Sequence, residues 1–100
     1  MAGFKIGESV QIPCDVRPGA MPTEYLITFE TADGRLSGFV RREQLINVSG
    51  TSGFIPAKII DTKGDTITAH MNGSFFTTTG LVTFKREWAE RNVQPISAVA

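Results

Sequence analysis

Hydrophobic and polar residues alternate along several short stretches of the chain, which is the pattern of β-strands that bury one face. The clearest stretch runs from Val10 to Val16, in which every second residue, Cys14 included, is apolar. Residues 24–31 add the aromatic and β-branched side chains that strands favour. The alternation predicts a mainly β chain, with further strands over residues 35–40, 54–62, 66–71, 74–79 and 81–84.

Turn-forming residues separate these predicted strands. Asp33-Gly34 and Asn72-Gly73 are strong hairpin signals, because glycine readily adopts the positive φ of a tight turn. Residues 17–23 contain two prolines and a glycine, so they are predicted to form an irregular loop. This loop carries Met21 and is a candidate binding segment. Residues 47–53 are rich in glycine and serine and predict a flexible linker.

Two helical segments are predicted, each after a group of strands. Residues 41–45 are expected to form one short helical turn. Lys85 to Asn92 have the spacing of an amphipathic helix, with Trp88 on the covered side. Residues 1–7 precede the first strand and predict a frayed lead-in.

The chain contains an internal repeat. Residues 12–16 (Ile-Pro-Cys-Asp-Val) recur 43 positions later as residues 55–59 (Ile-Pro-Ala-Lys-Ile), and Gly38-Phe39-Val40 recurs as Gly80-Leu81-Val82. An Arg-Glu pair follows shortly after in both copies. Self-similarity at a nearly fixed spacing indicates repeated structural units, and each unit alone would be marginally stable. The sequence therefore predicts a single domain over residues 1–100, with repeats at approximately 8–47 and 52–93.

Part of the first repeat resembles a known class of fold. Residues 33–40, followed by Leu45-Ile46, resemble the closing hairpin of SH3-like barrels, in which a Gly-aromatic-Val segment leads through a helical turn to a final aliphatic strand. The resemblance covers residues 7–48. It implies a small SH3-like barrel, here mainly β and built from two related three-stranded repeats with a short C-terminal helix. Arg41 replaces the proline usual in eukaryotic SH3 domains, so binding of proline-rich peptides is not implied.

Composition narrows the class of protein. The chain has 100 residues, of which 41% are hydrophobic, as is typical of a globular domain. Its 10 basic and 10 acidic residues leave no net charge, so bulk attraction to nucleic acid or to an acidic membrane is not expected. Cys14 is the single cysteine, which excludes an internal disulfide and favours a reducing, cytoplasmic location. Neither a signal peptide nor a membrane-spanning stretch is indicated.

Few residues carry catalytic or metal-binding chemistry. His70 is the only histidine, and in its predicted strand a surface position is favoured over a general-base role. Cys14 alternates with apolar neighbours, so a buried structural thiol is favoured over a reactive one. One cysteine and one histidine cannot complete a zinc site, and no glycine-rich phosphate loop is present. We therefore expect no catalytic residue, no metal and no cofactor, and we favour a non-enzymatic protein.

Aromatic residues give one candidate binding surface. Phe75 and Phe76 are consecutive in a predicted strand, so their side chains point to opposite faces. One of them is exposed unless the helix covers it through Trp88. An exposed aromatic side chain is suited to stacking on a base, filling a ligand pocket or forming a subunit interface. The predicted surface combines Phe75, Phe76, Trp88 and the loop that carries Met21.

Basic residues give a second candidate surface. Arg41-Arg42 and Lys85-Arg86 occupy equivalent places in the two repeats, and two such pairs on one surface would suit the phosphates of a nucleic acid. Each pair is followed by a glutamate, Glu43 or Glu87. Because the acidic residues offset the basic ones, a solvated helical face is the favoured interpretation.

The leading hypothesis is a binding module that associates with itself, as a homodimer or a larger homo-oligomer, or that takes a protein or small-molecule ligand. One alternative is a nucleic-acid-binding barrel that uses Arg35 and the basic pairs, with Phe76 for stacking. Another is an enzyme built at an oligomer axis, as in the plasmid-type dihydrofolate reductases, which are SH3-like. Val10-Gln11-Ile12 is similar to their Val-Gln-Ile-Tyr element, with Pro13 in place of the tyrosine. The sequence does not identify the partner.

Overall fold

A computed structural model describes residues 4–71, 74–75 and 80–96 of the protein, and only the backbone of residues 74 and 75. Within these ranges the chain is mainly β, with one 3₁₀ turn and one short α-helix. In chain order the elements are β1 (Ser9–Pro18), β2 (Glu24–Thr31), β3 (Gly34–Arg41), the 3₁₀ turn (Arg42–Gln44), β4 (Ile46–Ser49), β5 (Ser52–Lys63), β6 (Thr66–Met71), β7 (Ser74–Phe75), β8 (Leu81–Lys85), α1 (Arg86–Asn92) and β9 (Gln94–Pro95).

The described strands form one antiparallel sheet. Its order is β7-β3-β2-β1-β5-β6-β8, while β4 pairs with β5 and β9 pairs with β1. The sheet curls into a half-barrel. At one point the two arms of the sheet are bonded together, because the Ala32 N–H donates to the Thr83 carbonyl oxygen over 2.8 Å. The predicted mainly β class with one short helix is confirmed.

The middle of the sheet is a ladder between β1 and β5, two strands that are far apart in sequence. The ladder comprises seven antiparallel residue pairs, and Ile12 lies opposite Ile55 at its centre. Both isoleucines are 1% exposed. The two Ile-Pro segments noted in the sequence are therefore direct neighbours in the sheet.

Each of the two central strands pairs with the other along one edge and with two different strands, one after the other, along its second edge. β1 pairs with β9 near its start and with β2 from Asp15 to Pro18. In the same way β5 pairs with β4 near its start and with β6 from Ala57 onwards. Pro13 and Pro56 lie at these changes of partner, where a residue without an N–H donor removes no hydrogen bond from the ladder.

Alternate residues of the strands point into one apolar core. The alternation predicted for β1 is confirmed, since Cys14 and its apolar neighbours on that face are buried. Phe29 of β2 and Phe84 of β8 meet in this core with ring centroids 6.3 Å apart. Burial of this apolar surface makes the largest favourable contribution to the free energy of folding. The buried hydrophobic residues are Val10, Ile12, Cys14, Val16, Ile27, Phe29, Val40, Ile55, Ala57, Ile59, Ile67, Ala69, Met71, Val82, Phe84, Ala89 and Val93.

The predicted binding loop is shorter than the sequence indicated. Arg17 and Pro18 belong to β1, where they lie opposite Leu26 and Tyr25 of β2. The irregular connection is therefore confined to residues 19–23. The prediction was wrong at this boundary because pairing with β2 holds the proline-containing end of β1 in an extended conformation.

Two segments predicted to be irregular are held by pairing with β5. The linker predicted over residues 47–53 contains most of β4 and the start of β5, which form a hairpin. Residues 4–7 of the predicted lead-in are likewise held in place, since Phe4 packs against the core and the Gly7 N–H donates to the Ile59 carbonyl oxygen over 2.6 Å. Residues 1–3 lie outside the described residues. Glycine and serine content misled the linker prediction and position near the start of the sequence misled the other, because contacts with a distant strand decide both conformations.

Burial determines how Cys14 responds to pH. Desolvation, and secondarily the neighbouring Asp15 carboxylate, raise the pKa of the thiol from 9.0 to about 12. The unfolded chain therefore loses this proton near pH 9 while the folded protein keeps it. The thiol's contribution to stability is complete below pH 9 and is lost as the pH rises towards 12. We expect the wild type to lose stability relative to Cys14→Ala by up to about 1.4 kcal/mol per pH unit in this window.

Urea denaturation of both proteins at successive pH values between 8 and 11 measures this difference. Other groups that titrate in the window are common to the two proteins and cancel in the comparison. Parallel pH dependence in the wild type and in Cys14→Ala would contradict the prediction. Below pH 9 the folded wild type should also react slowly with a thiol reagent and rapidly in urea, because the thiolate is the reactive form.

Candidate functional site

Two clefts flank the central ladder, one at each change of partner. The larger cleft, here named the His70 cleft, lies where β5 and β6 separate and has a volume of about 580 Å³. Its opposite wall comes from the 3₁₀ turn, β4 and the residue that follows β9. The cleft is lined by Ser9, Glu43, Gln44, Ile46, Ile55, Pro56, Ala57, Lys58, Ile60, His70 and Ile96.

A β-bulge directs one apolar side chain into the His70 cleft. Ile60 is the extra residue between the Ile59–Ala69 and Asp61–Thr68 pairs of the β5–β6 ladder. Bulges re-aim side chains and are common beside functional sites. Ile60 is 38% exposed, which is unusual for an isoleucine in the long central strand of this sheet. It gives the cleft an accessible apolar wall.

Polar residues stand beside this apolar wall. Lys58 and His70 are opposite each other in the β5–β6 ladder, and both are exposed. The imidazole lies beside the backbone of Gly80, since a Cβ at that glycine would be 3.4 Å from His70 Nε2. Glu43 contributes a carboxylate from the opposite wall. None of the ion pairs in the described part of the chain involves Lys58 or Glu43.

The second cleft, here named the Trp88 cleft, lies where β1 and β2 separate and has a volume of about 350 Å³. Trp88 projects from α1 and is half-buried against the core. Its ring stacks on Phe84 with centroids 5.5 Å apart and an angle of 11° between the planes. The helical spacing of Phe84 and Trp88 indicated that they share one side of the helix, and the ring contact agrees with it. The predicted binding role of Trp88 stays a prediction. The indole occupies space that would otherwise enlarge this cleft.

The charged residues that line the Trp88 cleft are paired with one another. Arg35 Nη2 lies 2.7 Å from Asp15 Oδ2, and Arg35 Nε lies 3.4 Å from a Glu30 carboxylate oxygen. The hydroxyls of Thr28 and Ser37 share a hydrogen bond of 2.8 Å. These exposed pairs add little to stability, but they occupy the charged groups of the cleft.

Residues at repeat spacing line the two clefts. The separations are 42 to 44 positions, the same as those between the repeated sequence segments. The chemistry differs at most of them, and a glutamine stands in the His70 cleft where a tryptophan stands in the other. The matching residues are Pro13 and Pro56, Cys14 and Ala57, Asp15 and Lys58, Thr28 and His70, and Gln44 and Trp88.

The two predicted basic pairs lie on opposite arms of the sheet. Arg41 ends β3 and Arg42 begins the 3₁₀ turn, while Lys85 ends β8 and Arg86 begins α1. The Arg42 guanidinium lies 4.8 Å above the centroid of the Tyr25 ring. Arg86 Nε donates to a carbonyl oxygen in the β5–β6 turn over 2.6 Å. Arg42 and Arg86 thus have partners within the fold, and nucleic-acid binding by these pairs stays a prediction.

The predicted aromatic surface is described only in part. Met21 lies in the β1–β2 turn and is 58% exposed. The same turn accepts a hydrogen bond of 3.1 Å from the Arg42 N–H at the Thr23 carbonyl oxygen, so the Met21 turn and residues 41–42 share one end of the sheet. The side chain of Phe75 and all of Phe76 lie outside the described residues. Their role in binding or self-association stays a prediction.

Sequence reasoning did not single out Lys58 or Ile60, and it gave His70 no binding role. The repeated Ile-Pro pairs nevertheless indicated where the two clefts lie. A proline inside a strand marks a position without a ladder hydrogen bond, and the recurrence of that proline marks two such positions. Both prolines line the clefts.

No metal site is evident among the described residues, and comparison with known proteins does not identify a function. Across residues 4–71, 74–75 and 80–96, no group of three or more histidine, cysteine, aspartate or glutamate side chains is arranged to hold a metal ion. The helices in those ranges are too short or too polar to cross a membrane. No protein-family model, no curated protein and no solved structure matches the chain. The function must therefore be argued from the clefts.

Proposed function

We propose that the chain is a small SH3-like barrel formed by two related halves. The antiparallel Ile12–Ile55 pair supports this, because a two-fold rotation at its centre would exchange β1 with β5. The same rotation would exchange β2 with β6 and β3 with β8 in the strand order. It would also exchange β4 with β9, each of which pairs with the first strand of the opposite half.

Two backbone hydrogen bonds support the same relation. The Arg42 N–H donates to the Thr23 carbonyl oxygen over 3.1 Å, and the Arg86 N–H donates to the Asp65 carbonyl oxygen over 2.6 Å. Each bond joins the residue after the third strand of a half to the residue before the second strand. A three-residue 3₁₀ turn follows in the first half and the seven-residue α1 follows in the second. The longer helix carries Trp88.

Within this duplicated barrel, the proposed function is to bind a small amphipathic ligand in the His70 cleft. One observation carries the proposal: of two clefts lined by residues at repeat spacing, Trp88 narrows one to about 350 Å³, while Gln44 stands in the other, which keeps about 580 Å³. Packing an aromatic ring into one cleft favours stability of the fold. Leaving the other accessible has no such benefit and is typical of a binding site.

The size and lining of the His70 cleft suit this role. Small-molecule sites occupy about 300–1,000 Å³ and combine an apolar wall with a few polar groups that orient the ligand. Here Ile60 supplies an apolar wall, and Ile46 and Ile96 add apolar side chains on the opposite wall. Gln44 and Ser9 supply uncharged polar groups, and Lys58, His70 and Glu43 supply groups that are charged or able to be charged. The cleft is therefore suited to a molecule with an apolar body and a polar end.

A neutral apolar dye tests whether the cleft binds ligands. N-phenyl-1-naphthylamine should bind the wild type with enhanced fluorescence, and backbone amide resonances of β5, β6 and the 3₁₀ turn should shift in NMR spectra. Ile60→Glu should weaken this binding at least tenfold, because a carboxylate replaces the accessible apolar side chain of the wall. The matched control is Ile6→Glu, at an isoleucine that is 67% exposed and does not line the cleft.

Equal weakening by Ile60→Glu and Ile6→Glu would contradict the proposed site, and so would resonance shifts confined to the Trp88 cleft. Absence of dye binding by the wild type would contradict the proposed function itself. Circular dichroism of each variant establishes that it is folded before the comparison.

A further inference from the structure

We infer that the ligand of the His70 cleft is an amphipathic anion, whose carboxylate or phosphate group lies between Lys58 and His70. The inference rests on the proposed function, since it specifies the ligand class of the same cleft. It follows from three features: the pairing of the two basic side chains across the strands, the absence of an acidic partner for Lys58 in the described part of the chain, and the apolar wall beside them.

The cross-strand pair provides a preformed position for an anion. Lys58 and His70 are directly opposite, and side chains in such a pair have Cβ atoms about 5 Å apart. Two basic groups at that separation repel each other when both are charged, and an anion between them relieves the repulsion. The ammonium and the imidazole N–H are both donors, so each can form a charge-assisted hydrogen bond with the same acceptor.

In the Trp88 cleft the two equivalent positions have partners within the protein. There the residue equivalent to Lys58 is Asp15, which forms an ion pair of 2.7 Å with Arg35. The residue equivalent to His70 is Thr28, whose hydroxyl is hydrogen-bonded to Ser37. In the described part of the chain Lys58 has no such ion pair. A ligand anion would supply it.

The other walls limit which anions fit. Ile60 adjoins the basic pair along β5, so a ligand whose apolar chain begins beside its anionic group contacts both. Glu43 stands on the opposite wall and repels a second negative charge. These features favour a single anionic group on a short aliphatic chain over a polyanion such as a nucleic acid.

A matched series of eight-carbon ligands tests the charge of the ligand. Octanoate, octyl phosphate and 1-octanol share one chain and differ in the group at its end, and NMR titration of the full chain measures each affinity. The wild type should bind octanoate or octyl phosphate about five- to tenfold more tightly than 1-octanol, the gain expected from charge-assisted hydrogen bonds at an accessible site. The tighter of the two anions identifies the preferred group.

Variants assign the preference to Lys58 and His70. Lys58→Met should reduce the affinity for the anions towards that for 1-octanol and leave the affinity for 1-octanol unchanged, while Lys58→Arg should retain the preference. His70→Ala should weaken anion binding about threefold, and Glu43→Gln should strengthen it about twofold.

Equal affinity of the wild type for octanoate and 1-octanol, or an unchanged preference in Lys58→Met, would overturn the inference while leaving the proposed function intact. Failure of all three ligands and of the neutral dye would instead overturn the proposed function.

Discussion

Ile12→Ala and Ile55→Ala should each lower the free energy of unfolding by about 3 kcal/mol, which is a large part of the stability of a small domain. Each isoleucine is 1% exposed and lies at the centre of the β1–β5 ladder. Truncation removes three buried carbon atoms and leaves a cavity in the single apolar core. If the halves are related by a two-fold axis at this pair, the two losses should agree within about 1 kcal/mol.

Urea denaturation followed by circular dichroism measures both losses. Ile6→Ala is the matched control, because its side chain is 67% exposed and should change stability by less than about 0.5 kcal/mol. If either alanine variant fails to fold, Ile12→Val and Ile55→Val provide the same comparison with losses of about 1 kcal/mol. A loss for one residue three times that for the other would contradict the two-fold relation.

Gly80→Ala should lower the free energy of unfolding by about 3 kcal/mol or more. Gly80 has φ +73°, a region that costs other residues about 1–2 kcal/mol. In addition, its Cβ would lie 2.6 Å from the Met71 carbonyl oxygen, which is a backbone atom and cannot rotate away. The Met71 N–H also donates to the Gly80 carbonyl oxygen over 2.9 Å, so a shift of either residue disturbs the end of β6.

Gly64→Ala separates the two causes. Gly64 has φ +52°, but no atom lies within 4 Å of the position of its Cβ. Gly64→Ala should therefore lower the free energy of unfolding only by the cost of the positive φ, about 1–2 kcal/mol. Equal losses in the two variants, measured by urea denaturation, would show that the contact with Met71 is absent or easily relieved.

Local patterns predicted much of the fold where a strand's own sequence decides its position. The predicted bounds of β2 and β6 agree with the structure, because alternation and flanking turns define them. β9 was missed, since it is short and exists through pairing with β1. A strand at Leu45-Ile46 was expected from the resemblance to SH3-like barrels alone, and the extension of β4 to Ser49 depends on pairing with β5. The bulge at Ile60 was missed for the same reason, because an extra residue in a ladder is visible only once the partner strand is known.

The candidate site was less predictable than the fold. The exposed position of His70 was predicted correctly, since alternation places its side chain on the other face of the strand from that of the buried Ala69. Its pairing with Lys58 depends on the register of β5 with β6. A shift of that register by two residues would leave every side chain on the same face, so alternation alone does not determine which residues are paired. The difference between the clefts depends on the 3₁₀ turn that follows β3 and the longer α1 that follows β8. The sequence indicated two helical segments of different length but not that one of them narrows a cleft.

The pairing of β4 with β5 and of β9 with β1 has a consequence for the order in which the chain can fold as it is synthesised. β1 acquires its central partner only when residues 52–58 are available, and its outer partner β9 only when residues 94–95 follow. Until then an apolar strand presents unpaired N–H and C=O groups, and such an edge promotes association between nascent chains. Because these contacts join distant parts of the sequence, folding should be slow for a domain of this size and should begin only after most of the chain has emerged.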